Sequence, residues 1–307
     1  MSRFFVTGGV GFIGSFVVRK LLESGHDILI YDSFIQYVTP EGYDIYANPY
    51  NRLKDVLTKV KIVRGNITNI SMLRKTLSDY NPDYIIHLAS MPLANLALEN
   101  PEEAFNSIIY GTHLIIQMVR DLPKLKRLVY ISSSMAYGDF KYEPVDEEHP
   151  KNPKDTYGAL KYSTEILIQS FCKLYNVDYV IIRPTAVYGP YDGNKRVLSI
   201  FLKNAMQGKP IVVKGAETKL DFTYVEDTAQ GIVLSALTPA ASQQVFNISR
   251  GQSRSLTDAA KIIAQIIPGT KIEYDEADKR FPVRGALDIS KAKKILNYSP
   301  EYSLEKG

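Results

Sequence analysis

A chain of 307 residues with 45% apolar and 23% charged residues is long enough to bury a full hydrophobic core and is ordinary for a soluble globular protein. Its net charge of +4 is spread along the chain, which argues against nucleic acid as a partner and suits a mildly basic cleft for a phosphorylated ligand. One cysteine, Cys172, excludes an intramolecular disulfide, and four scattered histidines give no metal-ligand spacing. No apolar run approaches the ~18 residues of a membrane span. The opening "MSRFFVTGG" enters a strand at once, so no signal peptide and a reducing cytoplasm are expected.

In chain order, the strand "RFFVT" breaks into "VTGGVGFIGS" and a helix patterned on Phe12, Ile13, Phe16, Val17, Leu21 and Leu22, which Gly25 closes. "DILIYD" follows, then a polar, tyrosine-rich insertion from Ser33 to about Asn51. "VKIVRG" and "YIIHLA" read as strands, with a helix around Ser71 to Asp79 between them. "EEAFNSIIYGTHLIIQMVRD" predicts one long helix and "RLVYISSS" a strand. "TYGALKYSTEILIQSFCKLYN" predicts a second long helix, before the strand "DYVIIRP". Strands apolar on both faces, alternating with helices, predict a doubly wound α/β domain with a parallel, Rossmann-type sheet over residues 1–189. From about Pro190 the pattern loosens into loops, the short strands "PIVVKG" and "QVFNIS", and the helix "SLTDAAKIIAQII". This predicts a smaller α+β portion over residues 190–307, with some later segments returning to the first domain.

The glycine loop by itself is either a flexible turn or a phosphate cradle. Its context favours the cradle, because it follows a strand, opens an amphipathic helix and lies in the first βαβ unit. Gly8 suits the tight turn, Gly11 the close approach of a pyrophosphate, and Gly14 close packing of helix on sheet. Asp32 ends the next strand, eighteen residues after Gly14. A carboxylate there accepts hydrogen bonds from ribose hydroxyls and repels a 2′-phosphate, so NAD is favoured over NADP. No Lys or Arg lies between Asp32 and Arg52 to reverse that preference.

Tyr157 and Lys161 in "YGALK" stand one helical turn apart, and a nearby ammonium favours the phenolate of a tyrosine. The spacing is common in a chain with 21 tyrosines, recurring at Tyr50/Lys54, Tyr137/Lys141, Tyr191/Lys195 and Tyr302/Lys306. Only Tyr157 opens a long helix between two core strands, just after hydroxyls placed by "ISSSMAYG" at the ligand edge of a strand. The plainer alternative is a solvated helix face.

Taken in order, "TGGVGFIG", "RGNITN", "HLAS", "NSIIYGT", "SSSMAYG", "YGALK", "RPTAVYGP", "LDFTYVED" and "VRGALDISKAKKILNYSP" resemble the extended short-chain dehydrogenase/reductases acting on nucleotide sugars. The likeness runs nearly end to end and implies NAD, a nucleotide-diphosphate sugar, and a homodimer formed through a four-helix interface. It implies Tyr157 as base and acid, Lys161 as the residue that lowers its pKa, and Ser133 on the reacting hydroxyl. Cofactor contacts would come from Gly8, Gly11, Phe12, Ile13, Gly14, Asp32, Asn66, Ile67, Leu88, Ala89, Ser90, Asn106, Tyr157, Lys161 and Pro184. Substrate contacts would come from Ser133, Ser134, Tyr157, Thr185, Ala186, Lys219 and Arg284. On its residues alone, Arg284 reads as a surface ion pair.

Departures from that pattern narrow the chemistry. Ser134 and Met135 stand where 4,6-dehydratases of the group carry Asp-Glu, or at least Glu, and Met135 also replaces the glutamate of related decarboxylases and the cysteine of 3,5-epimerases. A thioether cannot shuttle protons. Ala186 replaces a diphosphate-contacting asparagine and Leu220 a phosphate-holding arginine, with Lys219 as its substitute. The expected activity is an NAD-dependent nucleotide-sugar epimerase acting at C4. The alternatives are a 4-dehydrogenase or 4-keto reductase without hydride return and, from another class, a non-catalytic dinucleotide sensor. Apolar residues of the two long helices, such as Ile115, Ile116, Ile166 and Phe171, serve either the dimer or the core.

Overall fold

The computed structural model describes residues 1–37 and 49–307. Six strands build most of one sheet: β1 (Arg3–Thr7), β2 (Asp27–Asp32), β3 (Lys61–Arg64), β4 (Tyr84–His87), β5 (Arg127–Ile131) and β6 (Tyr179–Pro184). Their spatial order is β3-β2-β1-β4-β5-β6, and the strand Gln244–Ile248 joins outside β6. Every pairing in this sheet is parallel. "QVFNIS", read from sequence as part of a looser segment, is therefore a seventh strand of the main sheet. The order reverses between β1 and β4, which opens a crevice at the strands' carboxyl ends.

The two apolar faces of the strands sort into two cores, as their two-residue period requires. Phe4, Val6, Ile28, Ile30, Val129 and Ile182 face α1 (Phe12–Glu23) and the helices Val225–Leu237 and Ser290–Leu296. Phe5, Leu29, Ile85, Leu128 and Ile181 face the helices Ile70–Tyr80, Gly111–Val119 and Thr156–Tyr175. Cys172 is buried in that second core, where burial pushes its thiol up to about 12. A third core of Leu198, Phe201, Ile211, Val213, Phe222, Leu256 and Ile263 unites the helices Val197–Met206 and Leu256–Ile266 with the strand Ile211–Lys214. The second of these helices starts from a capping box: the Asp258 amide donates to Ser255 Oγ and the Ser255 amide to Asp258 Oδ2.

Two expectations differ in detail. The single long helix over "EEAFNSIIYGTHLIIQMVRD" comprises Pro101–Phe105, a π-helical turn Asn106–Tyr110, and Gly111–Val119. The Gly111 amide reaches back five residues to the Asn106 carbonyl, a wider closure that apolar periodicity does not reveal. Of the tyrosine-rich insertion, residues 38–48 lie outside the described part, and the short helix Pro49–Leu53 ends it.

Candidate active site

The glycine loop owes its shape to two contacts. Gly8 has φ +70°, and a Cβ there would lie 2.7 Å from the Ala89 amide nitrogen on the neighbouring strand's loop. A Cβ on Gly14 would lie 2.1 Å from the Gly8 carbonyl oxygen, so α1 packs backbone to backbone on the loop. The helix begins at Phe12 without a side-chain cap, leaving the first-turn N–H groups of Phe12, Ile13 and Gly14 for an anion in the cleft these residues line. Asp32 Oδ2 accepts from the Val10 amide at 3.1 Å, and Oδ1 from the Phe34 amide at 2.8 Å. Burial raises the Asp32 carboxyl, opposed by those two amides and by the charge of Arg52. An uncapped helix start, a cradle without Cβ atoms and an acid at the end of β2 together fit a dinucleotide.

One continuous cleft of about 1820 Å³ runs from this loop across the carboxyl ends of the strands to the third core. Its walls include Gly8, Gly11, Phe12, Ile13, Gly14, Asp32, Asn66, Ile67, Leu88, Ala89 and Ser90 on the dinucleotide side. Ser133, Ser134, Tyr157, Lys161, Pro184, Thr185, Ala186, Lys219 and Arg284 line the rest. Asn106 is the one predicted site residue outside the lining; its neighbour Ser107 takes a place there, its hydroxyl accepting from the Met91 amide at 3.2 Å.

Tyr157 lies in the first turn of the helix Thr156–Tyr175, which Asp155 caps by accepting from the Gly158 amide at 2.9 Å. Gly158 brings that turn against the Ser133 segment, since a Cβ there would stand 2.5 Å from the Met135 carbonyl oxygen. Ser133 itself caps the tight turn Ser134–Tyr137 through the Met135 amide. Burial pushes the Tyr157 phenol up to about 12, against the charge of Arg196 and a hydrogen bond from Ser133. Lys161 Nζ donates to Ser90 Oγ and to the Ile131 carbonyl, each at 2.9 Å, and lies 5.8 Å from the centre of the Tyr157 ring. Burial lowers this ammonium to about 7, with Glu165 opposing. The structure thus ties the ammonium to Ser90 and β5 and brings a second cation, Arg196, to bear on the phenol.

Arg196, Arg52 and Glu143 are among the charged lining residues that the sequence reading did not place in the site. Arg196 donates to Asp192 Oδ1 at 2.7 Å, and its guanidinium lies 5.6 Å from the Phe12 ring centre. Arg52 donates to the Val10 carbonyl at 3.3 Å and the Tyr191 carbonyl at 3.2 Å, joining the glycine loop to the segment after β6. Glu143 accepts from Ser253 Oγ and the Ala286 amide, both at 2.7 Å, and its carboxyl is lowered partly by the charge of Lys219. All three converge only through tertiary structure, and no local motif marks them. Arg284 forms no ion pair among the described residues: its Nε is buried without a partner there, and burial lowers the guanidinium to about 10, with the charge of Asp155 opposing. A buried donor left open in a cleft wall suits an anionic ligand group.

The profile of the NAD dependent epimerase/dehydratase family matches residues 4–249. A UDP-glucuronate 4-epimerase of Thermodesulfobacterium geofontis is 31% identical over 312 residues, 100% of this chain and 94% of the relative. A dTDP-glucose 4,6-dehydratase of Haemophilus influenzae is 25% identical over 333 residues, 100% of this chain and 96% of the relative. The crystal structure of UDP-glucuronic acid 4-epimerase from Bacillus cereus, in complex with UDP-glucuronic acid and NAD, superposes with a TM-score of 0.90. It is 28% identical and covers 99% of this chain and 96% of its own. The glycine cradle, the cleft at the sheet's switch point and these likenesses agree, and the chain belongs to the NAD-dependent epimerase/dehydratase family of extended short-chain dehydrogenase/reductases.

Proposed function

We propose that the protein is a nucleotide-sugar 4-epimerase in which Tyr157 is the acid and base. The supporting observation is that Tyr157 and Ser133 line the same cleft that begins at the glycine loop, with the Tyr157 turn packed on the Ser133 turn through Gly158. Gly8, Gly11, Phe12, Ile13, Gly14 and Asp32 would hold NAD, which when bound supplies a hydride acceptor and a positive charge that favours a phenolate. As the C4 hydrogen leaves as hydride, the Tyr157 phenolate takes the proton of the C4 hydroxyl and the Ser133 hydroxyl orients that oxygen. The 4-keto sugar then presents its other face, and Tyr157 returns the proton as the hydride returns. Lys161, donating to Ser90 and the β5 carbonyl, carries the positive charge of the site. Arg284 and Lys219 are assigned to the diphosphate, and Ser134, Thr185 and Ala186 to the sugar wall.

Met135 separates this reading from a 4,6-dehydratase. It lines the cleft two residues after Ser133, and a thioether offers neither proton donor nor base for eliminating water. The test incubates the purified protein with UDP-glucose, UDP-galactose, UDP-glucuronate and UDP-N-acetylglucosamine and follows the sugar protons by NMR. Inversion at C4 of at least one is expected. A 4-keto-6-deoxy product, or no change in any sugar while the protein retains NAD, would overturn the assignment.

A homodimer belongs to the same proposal. Phe105 is 51% exposed, Ile166 49% and Leu174 74%, on the helices Pro101–Phe105 and Thr156–Tyr175, and these apolar side chains are assigned to the face that a partner copy would cover. Ile115 and Ile116 are buried in the second core and play no part in that face, and Phe171 packs against the same core. Ile166→Glu is expected to convert a dimer to a monomer in size-exclusion chromatography with light scattering; a wild-type monomer would remove the interface.

A further inference from the structure

A buried ion pair lies behind the Tyr157–Ser133 couple. Glu165 and Arg183 are 1% and 2% exposed. Arg183 grips the carboxylate with two donors, Nε to Oε1 at 3.0 Å and Nη2 to Oε2 at 2.5 Å. The same carboxylate accepts from Ser132 Oγ, immediately before Ser133. The same guanidinium donates from Nη1 to the Tyr137 hydroxyl at 2.9 Å, and that hydroxyl donates to Asn247 Oδ1 at 2.7 Å. Ser132 and Tyr137 bracket the turn that Ser133 caps. Glu165 lies one helical turn beyond Lys161, and Arg183 is followed directly by the cleft residues Pro184 and Thr185.

We propose that Glu165 and Arg183 are positioning residues: their ion pair pins both ends of the Ser133 turn to the helix of Tyr157 and Lys161. Bidentate pairing sets both distance and angle, which a single hydrogen bond does not. Arg183 also neutralises Glu165, and breaking a buried pair by removing one partner exposes the cost of the other.

This inference rests on the assignment of Tyr157 and Ser133 above. Its test uses the full chain and three variants, with kcat, KM, NAD content and Tm measured for each. Ser132→Ala deletes one hydroxyl bond and leaves the ion pair, so it is expected to fold and to lower kcat roughly tenfold with KM within about twofold. Glu165→Gln keeps the side-chain size but breaks the ion pair with Arg183, so it is expected to lower Tm and to lower kcat roughly tenfold or more with KM within about twofold. Tyr157→Phe separates the two readings. If it is inactive while Ser132→Ala keeps the kcat of the parent, the positioning role is overturned. If Tyr157→Phe itself turns over, the assignment of the base falls instead. A folded Glu165→Gln protein with the kcat of the parent also overturns the positioning role, and if that variant fails to fold, the kcat of Ser132→Ala decides. A fall in Tm with kcat intact in Ser132→Ala would mark the network as structural only and also overturns the proposal.

Discussion

Tyr157→Phe is expected to lower epimerase kcat by roughly a thousandfold while leaving KM and bound NAD near parental values. The substitution keeps the ring, which is only part-exposed to the cleft, and removes the single oxygen of the phenol, whose ionised form Arg196 and Ser133 favour. The loss corresponds to about 4 kcal/mol of transition-state stabilisation, more than a positioning contact supplies. Progress curves with the nucleotide sugar that responds in the NMR panel, and the dinucleotide released on denaturation, are the measurements. A variant that turned over at a tenth of the parental rate would show that another group moves the proton.

Gly14→Ala is expected to cost roughly 3 kcal/mol in stability and to strip the protein of NAD. The new Cβ would meet the Gly8 carbonyl at 2.1 Å and the Gly9 Cα at 2.8 Å, both backbone atoms. Relief requires α1 to move off the loop and carry its first-turn N–H groups away from the anion they serve. Gly25→Ala is the matched control: Gly25 has φ +76° but nothing within 4 Å of the added carbon. It is expected to cost about 1 kcal/mol through backbone strain and to retain NAD. Thermal melts with and without added NAD, together with the dinucleotide content of each purified variant, distinguish the two. Equal losses in both variants would mean that strain, rather than collision with the loop, governs the site.

The layered fold was legible because strand residues that alternate between two buried faces must be apolar through the strand centre, and "FFV", "ILIY" and "YVII" are. The glycine loop, Asp32, Tyr157 and Lys161 were legible because each belongs to a local pattern with a fixed place in a βαβ unit. Arg196 was not: it reaches the phenol from the start of the helix Val197–Met206, a relation set by how two cores pack. The π-helical turn stayed hidden because apolar periodicity does not report one wider closure, and within it Ser107 rather than Asn106 lies on the cleft wall. Arg284 looked like a surface charge because a sequence does not report that a donor is buried without a partner.

The contact at Gly158 bears on how such a protein changes over evolutionary time. Where Tyr157 meets the Ser133 turn, the ruler is one peptide backbone against another, with no side chain in between. Exchanges elsewhere in the cleft can reshape the sugar wall, as at Ala186 or Leu220, without lengthening that ruler. If Tyr157 and Ser133 react as proposed, the interval between their hydroxyls is insulated from exchanges at the proposed sugar wall, so new specificities could be sampled while that geometry is inherited intact.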